Sequence, residues 1–179
     1  MEEGTVAELS YDFDREKAVE AIIFLSERIK EPTLHSLTHL LYFADKTSLE
    51  RYGRLICGGT YAAMPHGTVH SQVLNLLKAG EDQTDLAFRL VDRFVVEAKR
   101  GPDLDSLAES DIQCLEEVAR EYGDWPFWRI KRESEDRAYW EAWNSRGAKK
   151  ANRMSFESIV SQLDNPEELL GHLQNRHSR

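Results

Sequence analysis

The chain has 179 residues, 41% of them hydrophobic and 31% charged, with a formal net charge of −9. At this length a fold can bury roughly 70% of the surface its unfolded chain exposes, so neither a disulfide framework nor a structural metal is needed. The acidic balance argues against a nucleic-acid partner, and no run approaches the ~18 apolar residues of a bilayer span. The opening MEEGTVAELSYDFDREK lacks the cationic-then-apolar order of a secretory signal, so a cytoplasmic protein with no membrane partner is expected.

Residues 1–14 read as an N-terminal segment, and 15–179 as one domain carrying a C-terminal helical extension. From Arg15 to Lys30, the positions Ala18, Ile22, Leu25 and Ile29 fall on one helical face. Pro32 stops that helix, and Thr33 is placed to cap a second one, with Leu34, Leu37, Leu41 and Ala44 inward and Gly53 at its left-handed end. Gly58-Gly59, Thr60–Met64 and Pro65 then read as a turn, a short strand and a stop. A helix is predicted from Val69 to Ala79, with Val73, Leu76 and Leu77 inward and Gly80 closing it.

Phe88 to Ala98 is rich in β-formers and reads as one strand, with Phe94, Val96 and Ala98 on one face. It is expected to pair with Thr60–Met64, because an isolated strand leaves its backbone groups unsatisfied. Ser110 to Gln113 has capping-box spacing, followed by the stripe Ile112, Leu115, Ala119 and Tyr122 and closed by Gly123. Trp125 to Trp128 reads as a turn, and Ser134 as the cap of a helix to about Arg146. Asn165-Pro166-Glu167-Glu168 opens the last helix, with proline in its first turn. The fold class is therefore α+β and mainly α-helical: a compact helical domain with a small antiparallel sheet or hairpin.

Several residue groups carry chemistry. His35 with His39, and His66 with His70, share an i, i+4 spacing that on a helix places two imidazoles side by side. A metal-dependent hydrolase using these four is one alternative; exposed or hydrogen-bonded histidines are the other. Residue 36 is Ser, so the glutamate of an HExxH zinc site is missing. Cys57 and Cys114 lack CxxC spacing and read as free thiols of a reducing compartment. Cys57, with His66 not far on, also has the residue types of a thiol nucleophile and its base, and packing is the competing role.

Trp125, Phe127, Trp128, Tyr139, Trp140 and Trp143 crowd 19 residues, and Arg129 to Arg153 holds eight Lys/Arg against four Asp/Glu. Core packing, a protein interface and base stacking by a DNA-binding regulator are the three readings of that stretch. No phosphate-binding loop, nucleophile elbow or dinucleotide fingerprint is present.

The stretch Leu37–Leu77, LTHLLYFADKTSLERYGRLICGGTYAAMPHGTVHSQVLNLL, resembles the SocA-like antitoxin family, or Panacea domain. The shared positions run through LLYFAD (Leu40–Asp45), RYGR (Arg51–Arg54), Gly58, Tyr61, Ala63-Met64 and His66-Gly67. LAESDIQCLEEVAREYG (Leu107–Gly123) is similar to a later family segment. Two positions depart from the pattern: Thr68 replaces the usual Pro, which would loosen the turn before the third helix, and Glu135 lies near a frequent His.

The resemblance implies a non-enzymatic protein that binds a cognate protein toxin, in one mode as an adaptor that delivers the toxin to a protease complex, with no cofactor. Tyr42, Asp45, Arg51, Tyr52, Arg54, Tyr61, Met64 and His66 are the candidate partner-binding residues, supplying aromatic and Arg anchors and an adaptable Met. The alternative for the same residues is a junction that holds helix to strand, with Asp45 paired to Arg51 or Arg54. The oligomeric state is left open.

Overall fold

A computed structural model describes residues 11–177. Helix α1 (Arg15–Ser26) begins where the Asp14 carboxylate accepts the Lys17 amide at 3.0 Å. Every residue from Ala18 to Leu25 is buried, so the helix is covered on all sides rather than along one stripe. It stops at Ser26, short of the expected Lys30, and the Lys30 amide goes instead to the Gly123 carbonyl at 2.9 Å.

Helix α2 (Leu34–Tyr52) is the axis of the molecule. Thr33 caps it by accepting the Ser36 amide at 3.2 Å, and Gly53 closes it in the left-handed region at φ 65°. Leu34, Leu37, Leu41 and Ala44 are all buried, as their spacing predicts.

Strands β1 (Tyr61–Met64) and β2 (Gly67–His70) form an antiparallel hairpin turning at Pro65-His66. The sequence reading placed a helix start inside β2, but helix α3 (Ser71–Ala79) begins only after it. His70 explains the shift. Its Nδ1 accepts the Val73 amide at 3.2 Å and caps α3, while its Nε2 donates to the Gly58 carbonyl at 2.8 Å. Gly58 sits at φ 67°, where an added Cβ would lie 1.9 Å from the Asp12 carbonyl oxygen. The chain before α1 thus presses directly on the turn that leads into β1.

The expected single strand over 88–98 is two, β3 (Phe88–Val91) and β4 (Val95–Ala98), joined by Asp92 and Arg93 at φ 50° and 67°. They pair with each other and not with Tyr61–Met64. The hairpin is tied instead to the start of α2, through Leu34 N–H to the Phe94 carbonyl and Val96 N–H to the Pro32 carbonyl, both at 2.8 Å. Phe94 is consequently 58% exposed, not inward.

A 3₁₀ turn (Leu104–Ser106) leads to helix α4 (Glu109–Tyr122). The capping group is Asp111 reaching back to the Ala108 amide at 2.9 Å, so the helix begins ahead of the predicted Ser110 box. Trp125–Trp128 is not a turn throughout: Pro126 stands at the N-cap position of helix α5 (Phe127–Ser134), which has no side-chain capping bond. Ser134 is the last residue of α5 rather than a cap. Helix α6 (Arg137–Asn144) is capped by Asp136, which accepts the Tyr139 amide at 3.1 Å.

The two-residue strand β5 (Asn152–Arg153) adds to the free edge of β1, giving the order β2-β1-β5. Helix α7 (Phe156–Ser161) follows, and helix α8 (Pro166–His177) starts at its predicted proline. The fold is mainly helical α+β, with two small antiparallel sheets flanking a helical core. Among the described residues no helix is long and apolar enough to cross a membrane.

Candidate partner-binding site

Four of the eight candidate residues, Tyr42, Asp45, Arg51 and Tyr52, lie on α2, the others follow in the loop after it, on β1 and in the β1–β2 turn, and the set divides by depth. Asp45, Tyr61 and Tyr42 are buried, with 2%, 3% and 0% of their surface exposed. The Asp45 Oδ1 accepts the Ile56 amide at 2.7 Å, and its Oδ2 accepts the Tyr61 hydroxyl. This carboxyl therefore joins α2, the loop after it and β1. It pairs with neither Arg51 nor Arg54. Burial holds its pKa up at about 7, against the Tyr61 and Ile56 hydrogen bonds that favour the carboxylate.

Tyr42 donates to Asp136 Oδ2 at 2.8 Å, and Lys46 Nζ and Gln162 Nε2 reach the same oxygen at 3.0 and 2.8 Å. That oxygen gathers α2, the α6 cap and the residue after α7 at one point. Arg54 leaves the end of α2 to pair with Asp111 at 2.6 Å, and Lys17 of α1 reaches the other oxygen of the same carboxylate at 2.9 Å. The Asp111 side chain is fully buried, while its two cations are partly exposed.

The remaining candidates fall at the two ends of α2. Arg51 and Tyr52 are exposed at the C-terminal end, where Arg51 holds Glu117 through two contacts and Tyr52 donates to Gln113 at 2.9 Å. Beside them, α2 and α8 enclose a groove of about 670 Å³ lined by Tyr52, Gly53, Leu169 and His172 among others. At the opposite end His66 is exposed in the β1–β2 turn, its ring 5.0 Å from that of His35. Half-buried Met64 offers its carbonyl to the Tyr139 hydroxyl at 2.9 Å. With 1.5 Å of rise per residue, His35 and Arg51 stand about 24 Å apart along the helix axis.

The fold brings His66 beside His35, one turn before His39 on α2, and sets His70 at the start of α3. His70 has both ring nitrogens engaged at the α3 cap, and buried His39 directs Nδ1 to the Thr68 carbonyl at 2.7 Å. Burial lowers the pKa of His35, His39 and His70 to about 4. Among the described residues no group of three or more His, Cys, Asp or Glu is arranged to hold a metal ion. Both cysteines are free and buried, and burial drives the Cys57 thiol well above its usual value, the reverse of what a nucleophile needs.

Thr68 lies fully buried in β2, not in a loosened turn before α3. Its amide donates to Ser134 Oγ at 3.2 Å and its hydroxyl to the Ser134 carbonyl at 2.5 Å, two bonds a proline there would lack. Glu135 is paired with Lys131.

The aromatic stretch splits between core and surface. Tyr139 is buried, Trp125, Phe127 and Trp143 are half-buried, and Trp128 and Trp140 remain 62% and 46% exposed. Its basic side chains are partly committed, Arg129 over the Trp125 ring and Arg146 over the Trp143 ring, each at 3.6 Å.

The polar groups of these networks that sequence reasoning missed are buried Asp111 and half-buried Asp136 and Gln162, and buried Ser134 was read as a helix cap instead. Only Asp111 carried a local signal, within the predicted capping box. No curated protein and no solved structure matches the chain. The family model for the antitoxin SocA-like Panacea domain matches residues 37–141, from the first turn of α2 through most of α6. That stretch includes α2, the β1–β2 hairpin and Asp111, which form the buried framework just described. Well over half of the sequence is covered, and the chain belongs to the SocA-like antitoxin family with its Panacea domain.

Proposed function

We propose that this protein is an antitoxin that neutralises a cognate protein toxin by binding it directly, without turning over a substrate of its own. The observation that carries the reading is the family match over residues 37–141. The arrangement of the motif is consistent with it: the signature side chains at the centre of α2 are spent on internal bonds, and those at its ends face outward.

In this reading Tyr42, Asp45 and Tyr61 hold the shape of the binding surface from below. Arg51, Tyr52, Arg54, Met64 and His66 meet the toxin. A partner spanning both ends of α2 would bury about 1,200–2,000 Å² in total, the size of a stable specific interface. The bound toxin is then masked, or is carried to a protease complex with this chain as adaptor.

Co-expression with the product of the adjacent reading frame tests the proposal. The expected result is growth restored in cells that the neighbour alone arrests, with the two proteins purifying together. Persistent arrest with this chain folded and abundant, and no co-purification, would overturn it.

A further inference from the structure

His35 and His66 meet where the N-terminal end of α2 passes the β1–β2 turn. Their ring centroids lie 5.0 Å apart, with the ring planes tilted by 49°. His35 stands in the first turn of α2, and His66 in a tight turn between two paired strands, so ordered backbone carries both imidazoles. His35 Nδ1 is buried and has no hydrogen-bond partner among the described residues. Buried polar atoms are almost always satisfied in folded proteins, and a bound water or ion is one physical reason for an exception.

The spacing of the rings suits one ion held by both. With metal–nitrogen bonds of about 2.0–2.1 Å, two imidazole centroids stand roughly 4.5 Å apart at a right angle and roughly 5 Å apart at the tetrahedral angle. The observed separation falls at the tetrahedral end. Imidazole suits Zn²⁺, Cu²⁺ and Ni²⁺, whereas Mg²⁺ and Ca²⁺ prefer oxygen ligands. Burial, and then the neighbouring His66, lower the His35 pKa to about 4, so at neutral pH its ring is uncharged and can coordinate. His39 does not complete the set. Its ring stacks on Phe127 with centroids 5.9 Å apart, and no group of three ligands forms among the described residues. Phe127 also lies 6.3 Å from His35 and gives the pair an apolar wall. The charge of Lys78, on α3, reaches His35 and works against any cation, which favours metals of high affinity for imidazole.

We propose that His35 and His66 form a two-imidazole site for a divalent transition-metal ion of the zinc or copper class, with its remaining coordination positions open. The ion ties the start of α2 to the β1–β2 turn. Because the pair is assembled only in the folded chain, metal binding stabilises the fold and raises its thermal midpoint. No toxin is needed for the ion to bind.

The test uses the purified full chain, stripped of metal with a chelator and then titrated with Zn²⁺ or Cu²⁺ alone. Cu²⁺ should bind more tightly than Zn²⁺, in the general order for nitrogen ligands, and its electron paramagnetic resonance spectrum should show splitting from two nitrogens. His35→Gln and His66→Gln should each lower the calorimetric Zn²⁺ affinity at least about tenfold, because even the groups behind a metal ligand are worth about 10–100-fold. Each should also abolish the rise in thermal midpoint that Zn²⁺ gives the native chain.

His172→Gln removes an imidazole beside Gly53 at the far end of α2, and should leave affinity within about twofold, as distant sites act independently. His66 is exposed, so His66→Gln should keep the fold, which circular dichroism checks, and it decides the matter alone if His35→Gln unfolds. A Zn²⁺ affinity unchanged in His66→Gln, an equal loss in His172→Gln, or no shift of the native midpoint with Zn²⁺ would each overturn the proposal.

Discussion

Replacing Asp111 by Ala should cost about 3–5 kcal/mol of folding stability, the usual loss when one partner of a buried ion pair is removed. The carboxylate is fully buried, and it faces Lys17 from α1 and Arg54 from the loop after α2, besides accepting the Ala108 amide. Its removal strands two cations beside an emptied site and uncaps α4 in the same step. Asp111→Asn keeps an acceptor for the Ala108 amide but no charge, so it should fall between wild type and Ala. Urea unfolding followed by circular dichroism measures the series. A loss below about 1 kcal/mol for Ala would mean that the pairs are no stronger than surface ones.

The second large effect is expected at Asp45, and its sign depends on pH. Asp45→Ala removes the acceptor for the Ile56 amide and the Tyr61 hydroxyl and leaves a cavity, a loss of about 2–4 kcal/mol near pH 5 that shrinks as pH rises. Asp45→Asn behaves differently. The native carboxyl has its pKa raised to about 7, whereas an unfolded Asp titrates near 4. Between those values the folded state holds the extra proton, so this group's contribution falls as pH rises through the interval and stays low above it. The total span is roughly 4 kcal/mol at most, by the value of one pKa unit.

Asn is neutral at every pH and keeps one acceptor and one donor for the same two partners. Asp45→Asn should therefore be close to neutral or mildly destabilising at pH 5, and stabilising at pH 8. His39 and His70 act in the opposite sense. Both are buried with pKa lowered to about 4, so the unfolded chain takes up protons first as pH falls from about 6.5, and stability is lost down to about 4. With Asp45 replaced, nothing at that position offsets the histidines, and the acid limb of the stability curve should steepen. Parallel limbs in the two proteins would contradict the raised Asp45 pKa.

These effects mark the border of what the sequence reveals. Helix α2 and the start of α1 were legible because their apolar spacing and, for α2, the caps Thr33 before and Gly53 after are local signals that agree. The β3–β4 hairpin was hidden because its turn uses Asp92 and Arg93 at positive φ, without the Gly that normally announces such a turn. In β2, the apolar spacing of Val69 with Val73 and Leu76 imitates a helix, and the decisive event, His70 turning back to the Gly58 carbonyl, joins residues 12 apart. Strand β5 is two residues long and exists only through its pairing with β1.

At the candidate site the residue types were legible and their roles were not. Asp45 and Tyr61 are 16 residues apart, and Tyr42 and Asp136 are 94 apart. No spacing rule connects such pairs, because the chain's return path sets them. The family motif stands out in the sequence, yet at its centre it encodes a buried hydrogen-bonded frame. Depth separates Asp45 from Arg51, six positions later on the same helix, and only the fold supplies it.

The most direct trial of the central claim is the native mass of what forms when purified chain is mixed with the toxin it relieves, read together with amide hydrogen exchange. The prediction is a stoichiometric complex in which both polypeptides keep their covalent masses, with exchange slowed at Arg51–Arg54 and at the β1–β2 turn. A toxin that is inactivated without a stable complex, or that emerges chemically altered after substoichiometric treatment, would contradict neutralisation by binding.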